Sequence, residues 1–155
     1  MRRTKGRLRL CMILLCLNVA LIWGSSLMTG DISSAISGFV GDLISKVFPN
    51  FQLGSGGSNH GLLRKLGHLT EFCCLGLLLS WLIRMLKDRT WEQVLLPLLA
   101  GIVIACADET IQRFIPGRYG CLTDVGIDTL GITLGILLIT LILRIRTKHL
   151  EESKL

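Results

Sequence analysis

The sequence predicts an all-α protein: a four-transmembrane-helix bundle with a short amphipathic helix in the first outer loop. Three observations predict this fold: long apolar runs, positive charges placed beside them, and helical spacing of apolar residues within one long loop. Half of the 155 residues are hydrophobic, but ordinary soluble domains have a similar fraction. It is the clustering of those residues into runs with little charge that indicates a membrane. We expect residues 1–155 to form a single membrane domain.

Four apolar runs approach the length of about 20 residues that a helix needs to cross a hydrocarbon core of roughly 30 Å. They predict spans over about 10–28, 66–84, 94–112 and 122–143. We expect the first run to be an uncleaved span, because no small-residue cleavage site follows it. The third run meets Asp108 and Glu109 before it is long enough, so its helix must continue past them.

The segment between the first two spans is the longest loop. Its apolar residues recur at helical spacing and predict an amphipathic helix over about 31–48, bracketed by Gly30 and Pro49. This helix would lie on the outer surface or cap the bundle. Leu53 to Gly61 is rich in Gly and Ser, which predicts a flexible loop.

The basic residues predict the orientation. Of the 17 Lys and Arg residues, 12 lie in the N-terminal, 84–93 and C-terminal segments, which places both termini in the cytoplasm. The net charge of +6 is then a topology signal, and with no nucleic-acid motif present we expect no nucleic-acid binding. No pair of the six cysteines has metal-ligand spacing, so a zinc site or a disulfide framework is not indicated.

Polar residues inside the spans are the candidate functional residues. An ionisable side chain at the bilayer centre costs about 2.5–3.5 kcal/mol on insertion scales, so such residues usually face the bundle interior and find partners. Because successive spans run in opposite directions, those near the start of the second and fourth spans and the end of the third lie at one level, just under the outer surface. They are His68, Glu71, Asp108, Glu109, Gln112, Asp124 and Asp128.

Local spacing predicts some of their partners. Asp108 and Gln112 are four residues apart and share a helix face, and Glu109 can pair with Arg113. Pro116 and Gly117 turn the chain, so Arg118 can fold back toward the carboxylates. Three small residues of the fourth span, Gly126, Gly131 and Gly135, are expected to let another helix approach closely.

Two of these stretches resemble a known family. Leu63–Phe72 resembles the first signature of the VanZ-like family, and Asp108–Arg118 resembles its second. The spacing of Asp124, Asp128 and Gly131 continues the second signature. The two signatures occur in the right order and on the right spans, which makes the resemblance specific.

The resemblance implies a multi-pass protein of the bacterial cytoplasmic membrane. The family's name-giving member is associated with low-level resistance to teicoplanin, an antibiotic that acts at the outer envelope. The family pattern covers Lys65, His68, Glu71, Asp108, Glu109, Gln112, Pro116, Gly117, Arg118, Asp124 and Asp128.

Three functions remain open at this point. The first is a non-catalytic or transport-like module that binds a lipid headgroup, a lipid-linked precursor or a glycopeptide antibiotic, with Lys65 and Arg118 facing its phosphate or carboxylate. The second is an intramembrane hydrolase or transferase acting on a lipid phosphate, although no Ser or Cys has a nucleophile context. The third is a structural subunit of an envelope system, in which the polar residues only pair with one another.

The first function is favoured and defines the predicted site. The expected ligand-binding residues are Lys65, His68, Glu71, Asp108, Glu109, Gln112, Arg118, Asp124 and Asp128. The catalytic candidates, should the protein be an enzyme, are His68, Glu71, Asp108 and Glu109. No cofactor or metal is predicted, although the clustered carboxylates would suit a divalent cation such as Mg²⁺ or Ca²⁺.

Overall fold

The structure, a computed structural model, describes residues 2–47 and 59–152. The described residues form five helices: α1 (Arg2–Ser26), α2 (Gly30–Val47), α3 (Asn59–Leu86), α4 (Glu92–Gln112) and α5 (Leu122–Glu152). No strand occurs within these two ranges. The predicted all-α fold is therefore confirmed.

Four of the helices are long and apolar enough to cross a membrane. These segments are Lys5–Ser26, Gly61–Leu86, Glu92–Gln112 and Leu122–His149, which confirms the four predicted spans. At one end α1 stops at Ser26, short of the predicted limit at residue 28, but the helices α1, α3 and α5 continue beyond the predicted limits at their basic flanks, which remain helical. Long Lys and Arg side chains tolerate this position, since they can reach the polar interface from a helix end.

Helix α3 is the centre of the bundle and packs against each of the other four. Its closest partner is α5, where Gly131 and Gly135 lie against the backbone of α3. A Cβ at Gly131 would stand 2.6 Å from the Leu69 carbonyl oxygen, and one at Gly135 would overlap the Cys73 carbonyl oxygen. The predicted close approach is confirmed for these two residues. It is wrong for Gly126, which is exposed and has no neighbour within 4 Å of a Cβ position.

The apolar core lies between α1, α3, α4 and α5. Its buried side chains are Ile22, Phe72, Leu75, Leu79, Ala105, Ile132 and Ile136. Ile132 is fully buried, and it is enclosed by Gly76 of α3 and Gly101 of α4, neither of which has room for a side chain. Ile132 therefore fixes α3, α4 and α5 relative to one another immediately below the polar residues.

Helix α2 begins one residue earlier than predicted, at Gly30. The Gly30 N–H donates a hydrogen bond to the Pro116 carbonyl oxygen over 3.1 Å, and a Cβ at Gly30 would overlap Gly117. The predicted bracket Pro49 and the predicted loop residues 53–58 lie outside the described residues. The rest of that loop prediction is wrong, because Asn59–Gly61 begins α3.

The apolar side of α2 points away from the bundle. Its buried residues are the small Gly30, Ser33 and Gly41, whereas Phe39 and Leu43 are 71% and 53% exposed. An apolar face turned outward suits a helix that lies against lipid. Of the two predicted positions, the structure therefore favours the surface position over a cap on the bundle.

Candidate functional site

The predicted polar residues meet at one end of the bundle, where α1 and α4 end and α3 and α5 begin; we call this the polar end. Ser26 closes α1 and is fully buried, and its hydroxyl oxygen lies 3.3 Å from Gln112 Nε2 of α4. Ser25 Oγ lies 3.4 Å from Glu71 Oε2 of α3. His68 Nδ1 of α3 is 3.9 Å from Asp108 Oδ2 of α4. All four spans thus contribute to a single cluster once Asp128 of α5 is included.

Arg118 folds back from the turn between α4 and α5 and is 6% exposed. It donates hydrogen bonds to the carbonyl oxygens of Ser25 (2.6 Å) and Met28 (3.1 Å) and to Gln112 Oε1 (3.3 Å). The last carbonyls of a helix have no partner within the helix and carry partial negative charge, so a guanidinium satisfies them. Burial, together with the nearby Arg64, lowers the pKa of Arg118.

The predicted ion pair between Arg118 and the carboxylates is not formed. Within the described residues, no carboxylate oxygen lies within 4.0 Å of an Arg118 nitrogen. The guanidinium instead binds the end of α1, because that end lies directly beneath the turn between α4 and α5. Gly117 allows this turn by adopting a positive φ of 74°. Arg118 therefore ties α1 to the α4–α5 turn.

Gln112 is the centre of the hydrogen-bond network. Its Nε2 lies 2.9 Å from Asp108 Oδ2 and 3.1 Å from Glu109 Oε1, and its Oε1 accepts from Arg118. The contact with Asp108 confirms that these two residues share a helix face. Glu109 does not pair with Arg113 as predicted, because Glu109 Oε2 accepts the Cys121 N–H at 2.9 Å.

Lys65 and Asp124 form an ion pair at the rim of the polar end. Lys65 Nζ is 3.4 Å from Asp124 Oδ1, and their side chains are 45% and 23% exposed. Such a partly exposed pair contributes little stability. Within the described residues of the polar end, this is the one ion pair that a Lys or Arg side chain forms.

Four residues of the polar end have buried side-chain atoms without hydrogen-bond partners, and for one of them, Asp124 Oδ1, Lys65 Nζ lies nearby. Asp128 is 1% exposed and neither of its carboxylate oxygens has a hydrogen-bond partner in the described chain. Asp108 Oδ1 and His68 Nδ1 are buried and equally unpartnered. One ligand atom from each of these three side chains lies within 4.8 Å of the other two. If the site holds a metal, these are the residues placed to bind it.

A cavity of about 230 Å³ opens beside this cluster, between α2, α3 and the end of α1. Its polar wall contains Arg64, His68, Glu71 and Arg118, and its apolar wall contains residues of α2, of α3 and of the segment between α1 and α2. Those apolar residues are Met28, Ile36, Val40 and Leu63. A second space of about 10 Å³, large enough for little more than a water molecule, lies on the other side of His68.

The two spaces divide the predicted ligand-binding residues. His68, Glu71 and Arg118 line the large cavity. Lys65, Glu109, Gln112, Asp124 and Asp128 line the small one together with His68. His68 is thus the predicted residue that borders both, and Asp108 lies behind it.

Arg64 is a residue that the sequence reasoning missed. It lines both spaces, and within the described residues it forms no ion pair. An arginine beside an apolar run is normally interpreted as a topology signal. Its position in the first signature, next to Lys65, was the only sequence indication of another role.

Comparisons with known proteins identify a family for this arrangement. The model of the family described as VanZ/LLP1 matches residues 11–144. That range contains all the residues of the polar end and most of the four spans. Neither a curated protein nor a solved structure matches the chain.

Proposed function

The chain belongs to the VanZ/LLP1 family of membrane proteins, and from this premise we propose that it binds a phosphate-bearing lipid headgroup in a pocket facing the outside of the bacterial cytoplasmic membrane. The pocket is the cavity between α2 and α3. Its ligand would be an anionic lipid or a lipid-linked envelope precursor. Both termini would then lie in the cytoplasm, in keeping with the distribution of Lys and Arg.

The two-sided lining of the cavity carries this proposal. Arg64, His68 and Arg118 are on one wall, and Ile36 and Val40 of α2 are on the other. A ligand that contacts both walls must itself have a polar and an apolar part. Ile36 and Val40 are 47% and 40% exposed, so an acyl chain lying along α2 would cover surface that the bundle leaves open.

The charges of the polar wall support an anionic group. Arg118 is already committed to carbonyl oxygens, so Arg64 is the cation best placed to bind a phosphate, in the manner in which arginine commonly does. The Glu71 carboxylate offsets part of this charge and is held by Ser25. A neutral or protonated His68 can add a further hydrogen bond.

The size of the cavity favours a headgroup over an antibiotic. At about 230 Å³ it is smaller than the roughly 300–1,000 Å³ typical of pockets for drug-sized ligands, and a glycopeptide is larger still. We propose that any contribution to teicoplanin-type resistance comes from binding a lipid or a lipid-linked precursor. Direct binding of the antibiotic is the alternative that the binding test below distinguishes from lipid binding.

The test is a binding titration of the full chain in detergent. The ligands are short-chain phosphatidylglycerol, polyprenyl phosphate, diacylglycerol (which lacks the phosphate) and teicoplanin. We expect the two phosphate-bearing lipids to bind and the other two to bind at least tenfold more weakly. Arg64→Gln should weaken lipid binding by about tenfold to a hundredfold, since one charge-assisted contact contributes about 1.5–3 kcal/mol.

Arg113→Gln is the matched control. Arg113 is an exposed arginine near the same end of the bundle and lines neither space, so its loss should leave the affinity unchanged. If the two substitutions weaken lipid binding equally, the effect of Arg64→Gln reflects only the general attraction between a basic protein and an anionic lipid. Preference for diacylglycerol or for teicoplanin would contradict the proposed ligand class.

A second function is favoured by one specific contact. His68 borders the cavity on one side and approaches the buried Asp108 to 3.9 Å on the other, a placement that suits a general base or nucleophile acting on a lipid phosphate. The protein would then be an intramembrane hydrolase or transferase. Turnover of a lipid pyrophosphate by the purified protein, abolished in a folded His68→Ala variant, would establish this second function in place of simple binding.

A further inference from the structure

His68, Asp108 and Asp128 come from three different spans and meet at one point. Each offers a ligand atom within 4.8 Å of the other two. The side chain of His68 is 13% exposed, and Asp108 and Asp128 are 0% and 1% exposed. The three side chains are thus held by α3, α4 and α5 around a volume that is nearly closed to the surroundings.

These atoms lack partners of their own. Both oxygens of Asp128, Oδ1 of Asp108 and Nδ1 of His68 form no hydrogen bond within the described part of the chain. Burying an ionised carboxylate without a partner is very costly, so buried charges are normally paired or bound to metal. Two such carboxylates within a few ångströms of each other also repel one another if both are ionised, so a proton or a cation is needed between them.

The neighbouring acids differ, because each has a partner for its charge. Glu109 accepts hydrogen bonds from Gln112 Nε2 and from the Cys121 N–H. Asp124 Oδ1 accepts no hydrogen bond, but it lies 3.4 Å from Lys65 Nζ. The inner pair, Asp108 and Asp128, therefore differs from the outer pair. Gln112 supplies one hydrogen bond to Asp108 and none to Asp128.

The basic residues of the polar end do not supply the missing charge. Arg118 is bonded to the end of α1, and Lys65 reaches Asp124 at the rim. In the described ranges, no Lys or Arg nitrogen lies within 4.0 Å of a carboxylate oxygen of Asp108 or Asp128. His68 is the basic group nearest to Asp108, and its facing nitrogen is a metal-ligand atom when unprotonated.

We propose that His68, Asp108 and Asp128 bind a divalent transition-metal ion of the Zn²⁺ or Mn²⁺ type. An imidazole ligand favours such ions over Mg²⁺ and Ca²⁺, which prefer oxygen ligands alone. Metal–ligand bonds of about 2.0–2.2 Å would draw the three side chains slightly together. Three protein ligands leave a coordination position for water or for an oxygen of a bound phosphate.

The ion needs only these three residues, so its binding can be tested separately from that of a headgroup. The full chain is purified in detergent without chelator, stripped with a chelator, and titrated with Zn²⁺, Mn²⁺ and Mg²⁺. Bound metal and thermal stability are both measured. We expect one equivalent of Zn²⁺ or Mn²⁺ to bind and to raise the melting temperature, with Mg²⁺ at least about tenfold weaker.

Asp128→Asn and His68→Gln each remove one ligand while keeping the side-chain size similar. Each should weaken binding of the transition metal at least tenfold. Asp42→Asn is the matched control, because Asp42 is an exposed aspartate of α2 that lines neither space. Its affinity for the ion should remain within about twofold of the unmodified chain.

Three results would overturn the site. The first is no saturable binding of Zn²⁺ or Mn²⁺, the second is binding unaffected by Asp128→Asn and His68→Gln, and the third is an equal loss in Asp42→Asn. If a variant does not fold, Co²⁺ bound to the unmodified chain decides the matter. Visible ligand-field absorption that one equivalent of Zn²⁺ abolishes supports the site, and its absence counts against it.

Discussion

Gly135→Ala should destabilise the protein, although alanine is the better helix former. Gly135 lies where α5 crosses α3, and a Cβ there would overlap the Cys73 carbonyl oxygen and stand 2.6 Å from the Leu77 nitrogen. Both neighbours are backbone atoms, so no rotation of a side chain can relieve the contact. The two helices must move apart over the largest interface of the bundle.

The magnitude follows from two opposing terms. Overpacking of a well-packed interface costs about 1–3 kcal/mol, occasionally more, and the upper end applies where backbone must move. Alanine returns up to about 1 kcal/mol through helix propensity. We therefore expect a net loss of about 2 kcal/mol in the free energy of unfolding.

Gly126→Ala is the matched control, because it is the same substitution on the same helix at a position with no neighbour within 4 Å. There only the propensity term remains, so the variant should be as stable as the original chain or slightly more stable. Reversible unfolding in mixed micelles of a mild detergent and SDS measures both variants. Equal stability of Gly135→Ala and Gly126→Ala would refute the packing of α3 on α5 described above.

Three further predictions concern the polar end and the orientation. Arg118→Met should lower the free energy of unfolding by about 3–5 kcal/mol, because hydrogen bonds from a charged group contribute about 1.5–3 kcal/mol each and the carbonyl oxygens of Ser25 and Met28 lose this donor. Arg113→Met, at an exposed position, should leave the free energy of unfolding unchanged in the same micelle assay. Gln112→Leu should lower the free energy of unfolding by about 2–3 kcal/mol, since Asp108, Glu109 and Arg118 each lose a hydrogen bond. If this variant is as stable as the original chain, the hydrogen-bond network does not contribute to stability. A reporter fused after Gly57 should be active outside the cell, and one fused after Lys87 should be active in the cytoplasm; the reverse pattern would move the polar end to the cytoplasmic side.

The spans could be predicted because a membrane imposes a length and a composition on each helix. Apolar runs with little charge located all four of them, and the need to continue α4 past Asp108 and Glu109 matched its end at Gln112. The ends of α3 and α5 were predicted less accurately, since a helix need not stop where its apolar run stops. Asn59 and Glu152 are polar yet helical.

The convergence of the polar residues was also predictable, because it depends only on the position of each residue along its span and on the alternation of direction. The hydrogen-bond partners of these residues could not be predicted in the same way. Arg118 binds the carbonyl oxygens of Ser25 and Met28, and a sequence cannot single out such groups because every residue has one. Their availability depends on where α1 ends in space.

Arg64 was missed because it lines a cavity between α2 and α3, and no sequence pattern predicted which side of α2 faces α3. Gly126 lies five and nine residues before Gly131 and Gly135, so helical periodicity places it on the opposite side of α5. In the described chain a Cβ there has no neighbour within 4 Å, which is why it does not pack against another helix.

A structure of the full chain in a lipid nanodisc containing phosphatidylglycerol would decide whether the cavity is a headgroup site. We expect the density of one headgroup phosphate between α2 and α3, within hydrogen-bond distance of Arg64, with an acyl chain along Ile36 and Val40. Ordered lipid confined to the other faces of the bundle, with only water or a buried apolar chain beside Arg64, would contradict the proposed function.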